Sequence, residues 1–267
     1  MTTEDLGWVP SDVDVSKPNP ARVYDYLLGG ANNFQVDRGL AKRLIEMVPD
    51  VAFMVIENRS FLRRAVAFLA QAGIDQFLDL GSGIPTVGNT HEVAQQINPA
   101  CRVLYVDQEA VAVAHSELLL EENPRADILR ADVRRPAEIL ADPKTSAMLD
   151  FSRPVAILMF AVVHFMDAGD KPAEVIKTYR DATVPGSYLA LSHITAEGRP
   201  DMIDAVAEYS TKATMEGNLR TREEIVSFFD GYDLVDPGVV FTPQWRGELN
   251  VCEPWRSAVY AGVGTKG

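Results

Sequence analysis

Three aspartates stand at or just beyond the ends of short apolar runs: Asp79 in residues 76–80, Asp107 after 102–106 and Asp132 after 127–131. They are separated by 28 and 25 residues, the length of one strand–helix unit each. In an open parallel sheet the strands point the same way and ligands bind at their carboxyl ends, so the three carboxylates are expected to face one crevice. Between the first two lies Gly81-Ser82-Gly83, a turn whose missing side chains let backbone approach a ligand closely. A dinucleotide fingerprint wants a third glycine at position 86, where this chain has Thr86. A carboxylate at Asp79 would also repel a pyrophosphate, which disfavours a nicotinamide oxidoreductase, but it suits an ammonium or sulfonium. Asp107 suits a ribose diol. Asp132 beside Val133 offers a polar edge and an apolar wall for an adenine. Ammonium, sulfonium, ribose and adenine together describe S-adenosylmethionine.

The elements that must position these residues change character along the chain. Residues 1–18 carry Pro10 and Pro18 without periodicity and read as an extended or loosely attached arm. Asn19-Pro20 is a cap followed by a first-turn proline, and Gly29-Gly30 stops the helix that it opens. Further helices are expected over 37–48 and 51–72, with Gly73 as the last cap. From residue 74 onward strands and helices alternate. Strands are expected at 76–80, 102–106, 127–131, 155–163 and 187–192. Helices are expected from the Asn89/Glu92 capping box to Ile97, and over 109–122, 136–149, 171–183 and 200–229. The last two strands, 232–240 and 257–263, have only the Pro- and Trp-bearing loop 242–254 between them and read as an antiparallel hairpin. This alternation predicts an α/β fold: a doubly wound, mostly parallel seven-stranded sheet with an antiparallel C-terminal hairpin and an N-terminal helical extension. Residues 1–73 are expected to form an arm and helical cap or lid, and 74–267 the ligand-binding domain.

Composition narrows the function classes. Apolar residues make up 47% of the chain, enough to build a core. A net charge of −13 repels phosphate backbones and disfavours nucleic-acid partners. The longest apolar run, 155–163, is too short to span a bilayer, which needs about 20 residues. The first residues lack the basic and apolar regions of a signal peptide, so a cytoplasmic location without membrane insertion is expected. Cys101 and Cys252 are far apart and read as two buried thiols. The four histidines show no metal-ligand spacing, and no metal is expected.

Asp79-Leu-Gly-Ser-Gly83, Tyr105-Val-Asp107, Ala131-Asp-Val133 and residues 157–165 resemble, in order and spacing, the motifs of class I S-adenosylmethionine-dependent methyltransferases over residues 75–195. The string Pro18-Asn-Pro-Ala-Arg-Val-Tyr-Asp-Tyr-Leu-Leu-Gly-Gly-Ala-Asn-Asn-Phe34 is narrower. It resembles the opening motif of a little-characterised methyltransferase-like family from actinobacteria, which extends the match over nearly the whole chain. The resemblance implies a Rossmann-like class I fold and S-adenosylmethionine as cofactor. It implies that Asp79, Gly81 and Gly83, with Ser82 between them, hold the methionine moiety, and that Asp107 binds the ribose. It further implies that Gln108, Asp132 and Val133 frame the adenine, while Phe160 and Ala161 offer backbone near the methionine amino group.

The fourth strand would deliver His164 beside the transferring methyl, with Asp167 and Asp170 close in sequence. It is the candidate base for a hydroxyl acceptor, against the plainer reading of a packed histidine. Arg22, Asp25, Asn32 and Asn33 around Gly29-Gly30 are expected to tie the helical segment over the cofactor mouth. Trp245 and Trp255 are candidates for a substrate pocket, with packing the commoner outcome for tryptophans. The function expected is methyl transfer to a small-molecule acceptor; the competing reading is a non-catalytic S-adenosylmethionine-binding regulatory module.

Overall fold

All five residues of β1 (Gln76–Leu80) and all five of β4 (Ala156–Phe160) are buried, as expected of adjacent strands covered on both faces. Around this pair the computed structural model, which describes residues 13–247 and 252–267, builds one eight-stranded sheet. The remaining strands are β2 (Arg102–Asp107), β3 (Ala126–Arg130), β5 (Tyr188–Ile194), β6 (Asp233–Leu234), β7 (Val240–Phe241) and β8 (Val259–Thr265). Their order is β3-β2-β1-β4-β5-β8-β6, with β7 also paired to β8. The first five strands are mutually parallel, and β8 runs antiparallel to β5, β6 and β7.

The sheet has eight strands where the pattern predicts seven, because residues 232–240 do not form one strand. Val235 still donates to the Val263 carbonyl at 2.8 Å, but Gly238 then closes a turn onto the Val235 carbonyl at 2.8 Å. Pro237 and Gly238, at φ 81°, split the run into β6 and β7. The fourth strand also stops earlier than its apolar run, at Phe160. Ala161 adopts φ 52°, and the chain enters a single 3-10 turn over Val163–Phe165. His164 therefore sits on a turn and not at a strand end.

The helices are α1 (Pro20–Leu27), α2 (Gln35–Met47), α3 (Val51–Gln71), α4 (Thr90–Ile97), α5 (Ala110–Leu120), α6 (Pro136–Ala141), α7 (Pro143–Met148), α8 (Pro172–Ala182), α9 (Asp201–Lys212) and α10 (Arg222–Ser227). Asn19 caps α1 by accepting the Ala21 N–H at 2.8 Å, and Pro20 occupies its first turn. The Asn89/Glu92 capping box opens α4 as predicted. Two expected helices are divided. Pro143 breaks 136–149, and Asp142 restarts the chain by capping the Lys144 N–H at 2.7 Å. The 200–229 region becomes α9 and α10, the latter opened by its own Thr221/Glu224 box.

Helix α3 packs directly on one face of the sheet: Phe61, Leu62, Ala65 and Leu69 share a core with Phe77, Val103, Leu158 and Ala190. Phe61 is fully buried, and burial of a phenylalanine contributes about 1.5–3 kcal/mol. Helices α1 and α2 belong to a different cluster, in which Val23, Leu40 and Leu44 meet Met202 and Ala205 of α9 and Val259 of β8. Residues 20–71 thus divide between a sheet-covering helix and a two-helix layer on α9. Residues 13–18 are not loosely attached. Val13 is buried against Ile84 and Val111, and the carbonyls of Asp14 and Lys17 accept from Arg22 Nη2 at 3.0 and 2.7 Å. The earlier part of the expected arm lies outside the described residues. No helix among the described residues is long and apolar enough to cross a membrane.

Candidate functional site

The turn after β1 is shaped by its neighbours. Gly81 donates its N–H to the Val106 carbonyl at 2.8 Å and holds φ at 75°. A Cβ there would meet Val162 Cγ2 at 2.4 Å, so the close approach to the loop after β4 requires glycine. Gly83 donates its N–H to Asp107 Oδ2 at 2.7 Å, and Asp107 Oδ1 accepts the Glu109 N–H at 2.9 Å. Nothing lies within 4 Å of where a Gly83 Cβ would be, which leaves open space on that wall. Ser82 Oγ is buried without a hydrogen-bond partner among the described residues.

Burial sets the charge state of the acids. Asp79 is 4% exposed, and loss of hydration pushes its carboxyl up to about 6, although the Thr90 hydroxyl donates to it at 2.6 Å. Burial also raises Asp107, against the opposing backbone N–H groups of Glu109, Gly83 and Gln108. Asp132 differs: burial works against its charge, but the Arg134 guanidinium, at 2.7 Å from Nη2 to Oδ2, outweighs it and holds the carboxyl low.

The eleven residues expected to hold the cofactor or act as base border one cavity of about 250 Å³: Asp79, Gly81, Ser82, Gly83, Asp107, Gln108, Asp132, Val133, Phe160, Ala161 and His164. Its polar end lies at the strand ends, and its remaining wall comes from apolar side chains of α1, α2, α3 and α9. Ala161 is fixed in its left-handed conformation by a relay: its N–H donates to Ser192 Oγ at 3.0 Å, and that hydroxyl donates to Asn58 Oδ1 at 2.6 Å. Asn58 Nδ2 donates to the Tyr24 hydroxyl at 3.0 Å, which donates to the Val55 carbonyl at 3.1 Å. Tyr24 also borders the cavity.

His164 is 6% exposed, and its Nδ1 is buried without a hydrogen-bond partner among the described residues. Its pKa lies well below the usual value, because burial first, and then His193 and Arg220, disfavour the cation. Asp167 and Asp170 do not orient it; Asp167 accepts the N–H groups of Gly169 and Asp170 at 2.6 and 3.0 Å and closes its own exposed turn.

The cluster near Gly29-Gly30 is a buried network. Asp25 Oδ2 accepts from the Asn32 N–H at 2.8 Å and from Asn33 Nδ2 at 2.7 Å, and a Cβ on Gly30 would strike Asp25 Oδ1 at 2.1 Å. Arg22, 1% exposed, pairs with Asp37 at 2.9 Å and with Glu109 at 2.8 Å. Glu109 follows Asp107 by two residues, so this network ties α1 and α2 to the loop after β2.

Some expectations fail. Trp245 does not border the cavity; it is fully buried, edge-on to Phe61 and Phe68 with centroids 5.3 and 5.9 Å away. Trp255 is 40% exposed and also outside the cavity. Cys252 is exposed, against the expectation of a buried thiol; Cys101 is buried as expected. Asn89 accepts the Thr86 N–H at 3.0 Å and closes the turn.

Sequence reasoning missed Arg59, which borders the cavity on α3. Its Nη2 makes 3.5 Å contacts to the Gly88 carbonyl and Asn89 Oδ1, and its Nε is buried without a partner among the described residues. The other cavity-lining cation, Arg134, is bound to Asp132. Helix α3 also carries Arg63 and Arg64, which serve the Val87 and Trp245 carbonyls, so residue type alone gives no signal that Arg59 faces the site.

The S-adenosyl methyltransferase family matches the chain over residues 7–267. Among solved structures, a protein described as a methyltransferase from Thermobifida fusca YX is 44% identical, with a TM-score of 0.92 over 97% of this chain and 98% of that one. A DUF574 family protein from Streptomyces avermitilis MA-4680 is 36% identical, with a TM-score of 0.91 over 95% of this chain and 99% of that one. Human N-acetylserotonin methyltransferase, solved with S-adenosylmethionine, shares the fold at 16% identity and a TM-score of 0.50, covering 99% of this chain and 61% of that one. A search of curated proteins finds no match. With its family match spanning nearly the whole length, and with the glycine turn and strand-end aspartates gathered on one cavity, the chain belongs to the S-adenosyl methyltransferase family, and it is an S-adenosylmethionine-dependent methyltransferase.

Proposed function

We propose that this enzyme methylates a small molecule enclosed between the strand ends and the helical layer. One observation carries the reading: a single cavity joins a polar end at β1, β2 and β4 to an apolar end under α2 and α9. The residues at the polar end fit the cofactor. Asp79 receives its ammonium, the open wall at Gly83 admits its backbone-hugging tail, and Arg59, whose Nε is buried without a partner among the described residues, supplies a cation for its carboxylate. Asp107 keeps lone pairs free for ribose hydroxyls after accepting its two backbone N–H groups. Gln108, Asp132 and Val133 flank the adenine, while Phe160 and Ala161 present backbone beside the methionine end.

When bound, the cofactor supplies an electrophilic methyl on a cationic sulfur, open to displacement by a lone pair held in line. The protein's work is then orientation and exclusion of water. Helices α1 and α2 serve as the lid, latched by Arg22 to Glu109. His164, kept neutral by burial and with Nδ1 unpartnered among the described residues, receives the hydrogen bond of a hydroxyl acceptor and is the proposed base. The acidic surface charge supports a small molecule over a nucleic acid.

Calorimetry with S-adenosylhomocysteine tests the cofactor assignment, with Asp79→Ala and Asp107→Ala as comparisons. Saturable binding by the parent and weaker binding by both variants are expected. Equal affinities in all three would sink the assignment.

A further inference from the structure

The apolar end of the cavity carries a pattern of its own. Its wall is formed by Leu44 of α2 and Val48 just after it, Met54 of α3, Met202 and Val206 of α9, and Val259 of β8. All six of these side chains are apolar. At the junction with the polar end stands a short aromatic ladder. The His164 and Phe165 rings lie 4.2 Å apart, and Phe165 and Tyr209 of α9 are 6.1 Å apart. All three residues border the cavity. Two buried atoms in this ladder lack partners, His164 Nδ1 and the Tyr209 hydroxyl.

A buried polar atom without a partner is expensive, and in a native site it calls for an explanation. Here the explanation is ligand recognition. We propose that the apolar end binds an uncharged, largely apolar acceptor bearing one hydroxyl, which hydrogen-bonds the His164 imidazole at the junction. The proposal rests on the placement of the cofactor at the strand ends, because the hydroxyl must then lie beside the loop after β4.

The surroundings of His164 argue against charged acceptors. Arg220 lies behind the turn; its Nη1 donates to His193 Nε2 at 2.7 Å and to the Val163 carbonyl at 3.2 Å, and its Nη2 donates to the Met166 carbonyl at 2.7 Å. His193 must accept that bond, since its Nδ1 donates to the Ile194 carbonyl at 2.7 Å. The guanidinium thus disfavours an ammonium directly beside His164, whereas the cavity's carboxylates, Asp25, Asp79 and Asp107, lie elsewhere on its lining, and because its hydrogen bonds are directed at the protein it is not free to fork a carboxylate. A neutral imidazole, by contrast, offers one lone pair and one N–H, the complement of a hydroxyl.

The test uses the full-length protein and naphthol, naphthalene, naphthoate and aminomethylnaphthalene as probes, titrated with and without S-adenosylhomocysteine. Naphthol is expected to bind about tenfold or more tighter than naphthalene, the effect of one added hydrogen bond to a buried group, and both charged probes more weakly than naphthol. His164→Phe keeps the ring stacking and should erase the preference for naphthol over naphthalene; His164→Gln, which still hydrogen-bonds, should keep part of it. Equal binding of naphthol and naphthalene to the parent protein, tighter binding of either charged probe, or no naphthol binding overturns the proposal. Failure to bind S-adenosylhomocysteine sinks the cofactor placement instead, and is read separately from the probe preference in the unliganded protein.

Discussion

Asp107 at the end of β2 accepts the backbone N–H of Gly83 in the turn after β1 at 2.7 Å. The residue assigned to the ribose therefore also holds the shape of the turn assigned to the methionine tail. Asp107→Ala removes both at once and should cost about 1–3 kcal/mol of S-adenosylhomocysteine affinity. Asp107→Asn retains one acceptor and should lose less. Calorimetry on both variants checks the ranking, and unchanged affinity in the alanine variant would contradict the ribose assignment.

Asp79 gives the cofactor site a pH dependence. Its carboxyl is pushed up to about 6 by burial, and only the ionised form attracts an ammonium. Affinity for S-adenosylhomocysteine should be full above about pH 6 and fall below it, by at most about tenfold per pH unit. Stability of the unliganded protein should move the other way. Because the folded carboxyl titrates above its ordinary value of 3.8, the folded state binds more protons and gains stability as pH falls from about 6 toward 3.8. Asp79→Asn should flatten both profiles; a parallel fall in the variant's affinity would point to another group.

Arg59 is expected to discriminate by ligand. Arg59→Met should weaken S-adenosylhomocysteine by about 1.5–3 kcal/mol, the range for hydrogen bonds to charged groups. It should leave methylthioadenosine, which lacks the amino-acid tail, within about twofold of the parent value. An equal loss for both ligands would assign Arg59 to packing or to the turn at Gly88.

The buried Arg22 holds Asp37 and Glu109 together. Arg22→Met leaves two carboxylates without their cation and should destabilise the fold by about 3–5 kcal/mol in denaturant unfolding. Pairing it with Asp37→Leu should recover part of that loss, since an uncompensated charge is then removed. Additive losses in the double variant would mean that the two residues are not coupled.

Much of this protein follows from local pattern. Strand β1 matches its apolar run, and the expected caps at Asn19 and at the Asn89/Glu92 pair are present, because these signals involve only neighbours in sequence. The cavity's strand-end residues were legible for the same reason: parallel strands of similar length deliver Asp79, Asp107 and Asp132 to one edge. Tertiary structure decided the rest. The 155–163 run reads as one long strand, yet it stops at Phe160 because Ala161 is held by Ser192 and Asn58 from distant elements. Trp245 is core, because α3 offers it Phe61 and Phe68 across nearly the whole chain. Arg59 reaches the site and Arg63 does not, a difference of one helical turn that depends on how α3 lies on the sheet. The apolar end of the cavity exists only where α2, α9 and β8 meet, and periodicity within any one of them cannot reveal which faces will share that space.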